Sequence, residues 1–203
     1  MSCTEESDDY WNYNDPSAWF EHFPAAAGTC QSPINIKSRY TVAKQYPPFV
    51  FSPDTEREIM LILTNNGHQV AATLPKDSGT QNQTDLSFTG GGLTGKFNFV
   101  NFHLHWGRSD RHGSEHEIDG HKYPAEAHFV YKNLETQQTA VFGFFFMFLT
   151  TPPCTEGIIW TIFVDPIPID EESLNLLRNN VMRKTYRPVQ PINDRIIHRN
   201  YDQ

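Results

Sequence analysis

Four residues in two short segments carry the clearest chemical potential. In Phe97-Asn-Phe-Val-Asn-Phe-His-Leu-His-Trp106, alternation along an extended chain puts Phe97, Phe99, Asn101, His103 and His105 on one face and Val100, Phe102, Leu104 and Trp106 on the other. His103 and His105 then sit on adjacent rungs, a spacing at which both rings reach one metal ion. In Ala125-Glu-Ala-His-Phe-Val-Tyr131, Glu126, His128 and Val130 share a face, and a hairpin can bring His128 alongside. Three neutral imidazoles with the fourth position left to water make an open, catalytic type of zinc site. Read blandly, His128 is a structural histidine. Glu126 and Asn101 tip the balance, because each can accept or order a ring N–H, the partner that a metal-bound histidine requires.

Those segments need a scaffold that sets strands side by side. The 203-residue chain is 38% hydrophobic and 13% aromatic, with 15 Phe, 8 Tyr and 4 Trp. That is enough apolar bulk to close a core, and it sets aside disordered and collagen-like classes. We expect an acidic N-terminal tail over residues 1–9 and a single domain over 10–203. The formal charge of −8 argues against nucleic acid and anionic membrane surfaces as partners, since both select clustered Lys and Arg. The longest apolar run, Val141 to Leu149, is less than half of what a membrane-spanning helix needs. The first nine residues lack the basic and apolar regions of a signal peptide, so a leader has been removed or the protein stays inside. Cys3, Cys30 and Cys154 leave one thiol over if two join, and composition does not choose the pair.

With 14 Pro and 12 Gly scattered along it, the chain reads as many short segments joined by turns, a mainly β pattern. Residues 59–63, 97–106, 126–131, 141–149 and 158–164 are rich in β-branched or aromatic side chains and bounded by turn signals, which predicts strands. One helix is predicted from Asp170 to Arg183. Ile169 staples its start, Asp170 caps it, and Leu174, Leu177 and Val181 recur at helical spacing.

Beyond the two histidine segments, Tyr10-Trp-Asn-Tyr13, Gln31-Ser-Pro-Ile-Asn-Ile36, Asn65-Asn-Gly-His68, Gly113-Ser-Glu-His116, Leu149-Thr-Thr-Pro-Pro153 and Arg187-Pro-Val-Gln-Pro191 follow one another along the chain. Together with Phe102-His-Leu-His-Trp-Gly107 and Ala125-Glu-Ala-His128, they give a sequence that resembles the α-class carbonic anhydrases. The resemblance implies a central, mostly antiparallel twisted β-sheet with peripheral short helices. It implies Zn2+ held by His103, His105 and His128, with Asn101 standing where the family usually has Gln and Glu126 supporting His128. The implied reaction is reversible hydration of carbon dioxide to bicarbonate and a proton. Thr150 then accepts a hydrogen bond from the attacking hydroxide and donates its own to Glu115, which orients the hydroxide, and His68 carries the released proton to buffer. Val130, Val141, Leu149 and Trp160 match the apolar substrate pocket, with Thr150 and Thr151 completing the substrate-binding set. Cys30 and Cys154 stand where secreted and extracellular members carry a disulfide, which implies a secreted or extracellular protein rather than a cytoplasmic one. Asn82-Gln-Thr84 is a glycosylation sequon. A monomer and a homodimer both fit.

One stretch departs from the pattern. Between Ala140-Val-Phe-Gly143 and Leu149 only Phe144 to Phe148 intervene, where the family has several dozen residues of helix and strand. The zinc histidines lie upstream of this shortened approach, whereas Thr150 depends on it. The alternative function is therefore a catalytically impaired, carbonic-anhydrase-related binding or matrix protein that keeps the fold, with or without the zinc. The run Phe142 to Phe148, if exposed, is an aggregation hazard.

Overall fold

Short apolar segments cut by turn residues cannot bury a face alone, so they pair into sheets. The computed structural model describes residues 11–75, 84–109, 111–146, 156–181 and 184–201. Among these, the strands in chain order are β1 (Asn35–Ile36), β2 (Val42–Ala43), β3 (Phe49–Phe51), β4 (Ile62–Asn65), β5 (Val70–Thr73), β6 (Ser87–Gly90), β7 (Leu93–Trp106), β8 (Glu117–Ile118), β9 (Ala125–Lys132), β10 (Thr139–Phe144), β11 (Ile159–Phe163) and β12 (His198–Arg199). The α-helices are α1 (Trp19–His22) and α2 (Glu171–Asn180). The expected mainly β class is what forms.

The central sheet runs in the order β11-β10-β9-β7-β5-β4, with β6 also on β7 and β3 on β6. Every pairing in it is antiparallel except β10 with β11. Between β6 and β7 the chain reverses through Gly91 and Gly92, whose φ of +63 and +76 degrees suits glycine. Long β7 is the spine, bonded to β5 and β6 on one side and β9 on the other.

Strict alternation along β7 fails at one place. Opposite β9 the register slips between Phe99 and Asn101, so Val100 is an extra residue and stands 44% exposed. A one-residue bulge exchanges the faces on either side of it. Phe97 and Phe99 therefore leave the histidine face, on which the alternation pattern puts them, and join the aromatic layer beneath. There Phe97 stacks on Phe88, with Tyr131 and Phe142 packed around them. Asn101, His103 and His105 remain together on the other face.

Other boundaries also move. The strand expected at 59–63 forms at 62–65, because β5 supplies a partner only from Ile62 onward. The strand expected at 141–149 spans Thr139–Phe144 within the described residues, and 147–155 lie outside them. Helix α2 is shorter than the predicted 170–183. Asp170 caps it by accepting from the Ser173 backbone N–H at 2.7 Å, and its described turns end at Asn180. Leu174 fixes α2 to the cluster of Trp106, Ala125 and Phe145.

Candidate metal centre

Neighbouring antiparallel strands put directly opposite residues on the same face. The register of β7 against β9 pairs His103 with His128, His105 with Glu126, and Asn101 with Val130, so all six share one face. The three imidazoles are 8%, 0% and 1% exposed for His103, His105 and His128, which removes them from competing water. Each offers a ring nitrogen within 4.8 Å of the other two.

The second nitrogen of each ring is already committed. His103 Nδ1 donates to Asn101 Oδ1 at 2.6 Å, so the shorter Asn reaches the ring as the family's Gln is expected to. His105 Nδ1 donates to the Thr185 carbonyl at 2.6 Å, and His128 Nε2 donates to Glu126 Oε1 at 2.8 Å. These bonds fix the tautomers and leave Nε2, Nε2 and Nδ1 of the three rings as lone-pair donors. Burial, followed by the neighbouring imidazoles, pushes His103 and His105 well below the ordinary histidine range, and burial lowers His128. At neutral pH the set is three neutral nitrogen donors, the chemistry that zinc takes.

Glu126 is fully buried and does more than orient His128. Its Oε1 also accepts from His116 Nδ1 at 2.7 Å, and its Oε2 accepts the backbone N–H groups of Glu115 and His116 at 3.2 and 3.0 Å. Burial opposes the charge, but these donors hold the carboxyl well below the usual carboxylate range. His116, Glu126 and His128 also lie close enough to resemble a second metal group. Their contacts are hydrogen bonds into one carboxylate, so they work as support for the first.

Glu115 is completely buried, and its Oε1 accepts the Arg187 backbone N–H. The Arg187 guanidinium in turn holds Gln31 Oε1 at 2.8 Å and the Ser32 carbonyl at 2.9 Å, tying this corner to the N-terminal segment. Val130, Val141 and Trp160 form one row across β9, β10 and β11. Trp160 lies with its ring 4.8 Å from that of His128. His68, half-buried, stacks on Trp11 with ring centroids 4.0 Å apart. Leu149, Thr150, Thr151, Cys154, Cys3 and Asn82 lie outside the described residues. Cys30 is exposed, and its backbone N–H donates to Glu156 Oε1 at 2.6 Å, two residues from Cys154 in sequence.

Several contributors are visible only in three dimensions. Thr185 sits opposite the end of β7, where its hydroxyl accepts the Trp106 N–H at 2.8 Å while its carbonyl holds His105. Gly143 lies opposite His128, and a Cβ there would stand 2.6 Å from Ile162 Cδ1 and 3.3 Å from Glu126 Oε1. A glycine inside an apolar strand is a signal of such close approach. Thr185 carries no comparable signal.

Comparison with known proteins agrees with this geometry. A family described as eukaryotic-type carbonic anhydrase matches residues 14–147 and 144–201. Human carbonic anhydrase 7 is 28% identical over 260 residues, covering 92% of this chain and 96% of its own. Human carbonic anhydrase 3 is 27% identical over 262 residues, covering 95% and 97%. A Caenorhabditis elegans protein that bears a carbonic anhydrase name is 29% identical over 250 residues, covering 93% and 97%. Each alignment is longer than the 203 residues of this chain, so the relatives carry residues that have no counterpart here. The family match breaks and resumes at 144–147, where the shortened approach to Leu149 begins.

Proposed function

Since the chain belongs to the eukaryotic-type carbonic anhydrase family, we propose that it catalyses the zinc-dependent, reversible hydration of carbon dioxide to bicarbonate and a proton. The observation that carries this reading is the trio His103, His105 and His128, each with its second ring nitrogen bonded to Asn101, Thr185 or Glu126. When bound, zinc supplies the Lewis acidity that makes water a nucleophile at neutral pH, as in the three-histidine sites of which carbonic anhydrase is the reference case.

The rest of the work falls to this chain's side chains. Val130, Val141 and Trp160, with Leu149 and Thr151, give a nonpolar substrate somewhere to rest beside the histidines. Thr150 accepts a hydrogen bond from the nucleophile's O–H and donates one from its own hydroxyl to Glu115, which aims a lone pair of the nucleophile at the carbon of CO2. Arg187, bonded to Glu115 through its backbone, keeps that acceptor in line. His68 carries the proton outward, with Trp11 as the surface on which its ring lies.

The same reading makes this a secreted or extracellular protein with a Cys30–Cys154 bond and a glycan on Asn82. The contact of Cys30 with Glu156 supports the bond, because it brings Cys30 against the segment that follows Cys154. Stopped-flow CO2 hydration on the zinc-loaded chain tests the proposal. We expect catalysis that a chelator removes and zinc restores.

A second reading has its own support in the break of the family match at 144–147. Shortening the strand that leads to Thr150 can displace its hydroxyl by an ångström, and such a shift costs about a hundredfold in rate. In that case the chain is an impaired enzyme or a binding protein with its zinc retained. Thr150→Ala separates the two: it slows a competent enzyme by about one to three orders of magnitude and leaves an already misaligned one unchanged.

A further inference from the structure

The far edge of the central sheet ends on β4, and among the described residues no strand pairs with its outer side. All four residues of β4 are exposed. With the two residues before it, β4 presents a run of large apolar side chains: Met60 is 80% exposed, Leu61 36%, Ile62 49% and Leu63 68%. Extended backbone sends alternate side chains to opposite faces, so this apolar surface wraps around the edge. Natural edges are guarded by Pro, by charge, by a bulge or by a covering element. From Ile59 to Asn65 the sequence has no Pro, no Gly and no charged residue.

A second observation concerns the residues just ahead of the strand. The composition of 59–63 predicts a strand, yet Ile59, Met60 and Leu61 belong to none in the single chain. Local preference and structure disagree there. A strand added along the outer edge would remove the disagreement, because it would give these three residues the partner that β5 does not reach to supply.

We infer that residues 59–63 form a self-association edge, pairing antiparallel with the same residues of a second copy so that two central sheets join across a two-fold axis. A two-fold contact uses the same surface on both partners, and this segment is complementary to itself. With the axis at Leu61, the two Leu61 side chains face each other, Met60 faces Ile62, and Ile59 faces Leu63. Each facing pair is apolar and shares a sheet face. The flanking charges fit the same register: Glu58 falls opposite Thr64 and Arg57 opposite Asn65, so no like charges meet although each chain carries −8. The outward N–H and C=O groups of the edge then gain ladder partners.

Sedimentation velocity on the full zinc-loaded chain, over a wide range of concentration, tests this. We expect a monomer–dimer equilibrium. Met60→Lys, at a highly exposed position outside any strand, leaves fold and zinc content unchanged. It raises the dissociation constant about tenfold or more, because the change occurs twice in a two-fold interface. In a Leu61→Cys variant, mild oxidation should link two chains, and peptide mapping should find the link between the two introduced thiols. A parent chain that stays monomeric throughout overturns the inference. So does a dimer that Met60→Lys leaves intact and that forms no link at position 61.

Discussion

Glu126 Oε1 accepts the Nε2 hydrogen of His128 at 2.8 Å, so this ring turns Nδ1 toward the centre while His103 and His105 turn Nε2. The orientation of the third ligand is thus set by a buried carboxylate two residues away on the same strand. Glu126→Gln keeps the shape and an acceptor oxygen but removes the charge that strengthens the bond. We predict a loss of zinc affinity of about 10- to 100-fold, read by competition with a chromogenic chelator. Unchanged affinity would show that Glu126 serves the fold alone.

The ligands differ in how their partners respond to mutation. His103 is held by a side chain, so Asn101→Ala frees its ring and should weaken zinc binding by about tenfold or more. His105 is held by the Thr185 backbone carbonyl, which Thr185→Val retains. That variant instead deprives the buried Trp106 N–H of its acceptor. It should cost about 1–3 kcal/mol of stability in urea unfolding while zinc affinity falls less than in Asn101→Ala.

This contrast marks where the sequence is legible. The pattern Asn101-x-His103-x-His105 with Glu126-x-His128 gives the ligands and two of their three partners, because residues two apart on an unbulged stretch of strand share a face. The same rule misassigns Phe97 and Phe99, since the bulge at Val100 is a product of register with β9 and leaves no mark in composition. Thr185 is illegible for a related reason: it acts through its backbone, which any residue type provides. The strand at 59–63 is read from its own side chains, but β5 pairs with only its later part, and strand formation needs a partner.

Tyr131 lies in the aromatic layer against Phe88, Phe99 and Phe142, and burial pushes its hydroxyl up to about 12. An unfolded tyrosine ionises near pH 10, so above that value the unfolded chain loses a proton that the folded chain keeps. Stability contributed by neutral Tyr131 is therefore present below pH 10 and lost as pH rises toward 12. Tyr131→Phe retains the packing, and its melting temperature should fall less steeply than the parent's between those values. Parallel curves would contradict this.

Cys30 is exposed beside Glu156. In protein made in an oxidising compartment, non-reducing peptide mapping should recover Cys30 joined to Cys154, with Cys3 left over. Two free thiols at those positions would instead argue for an intracellular protein.

The central claim is that His103, His105 and His128 hold one zinc ion that serves CO2 hydration. Zinc content and hydration rate measured together on the folded parent and on His128→Ala test it most directly. The account predicts one zinc per chain and chelator-sensitive hydration in the parent, and loss of both in the variant, with its β-sheet spectrum retained. A folded His128→Ala chain that keeps full zinc occupancy, or a fully zinc-loaded parent that hydrates CO2 no faster than buffer, would contradict it.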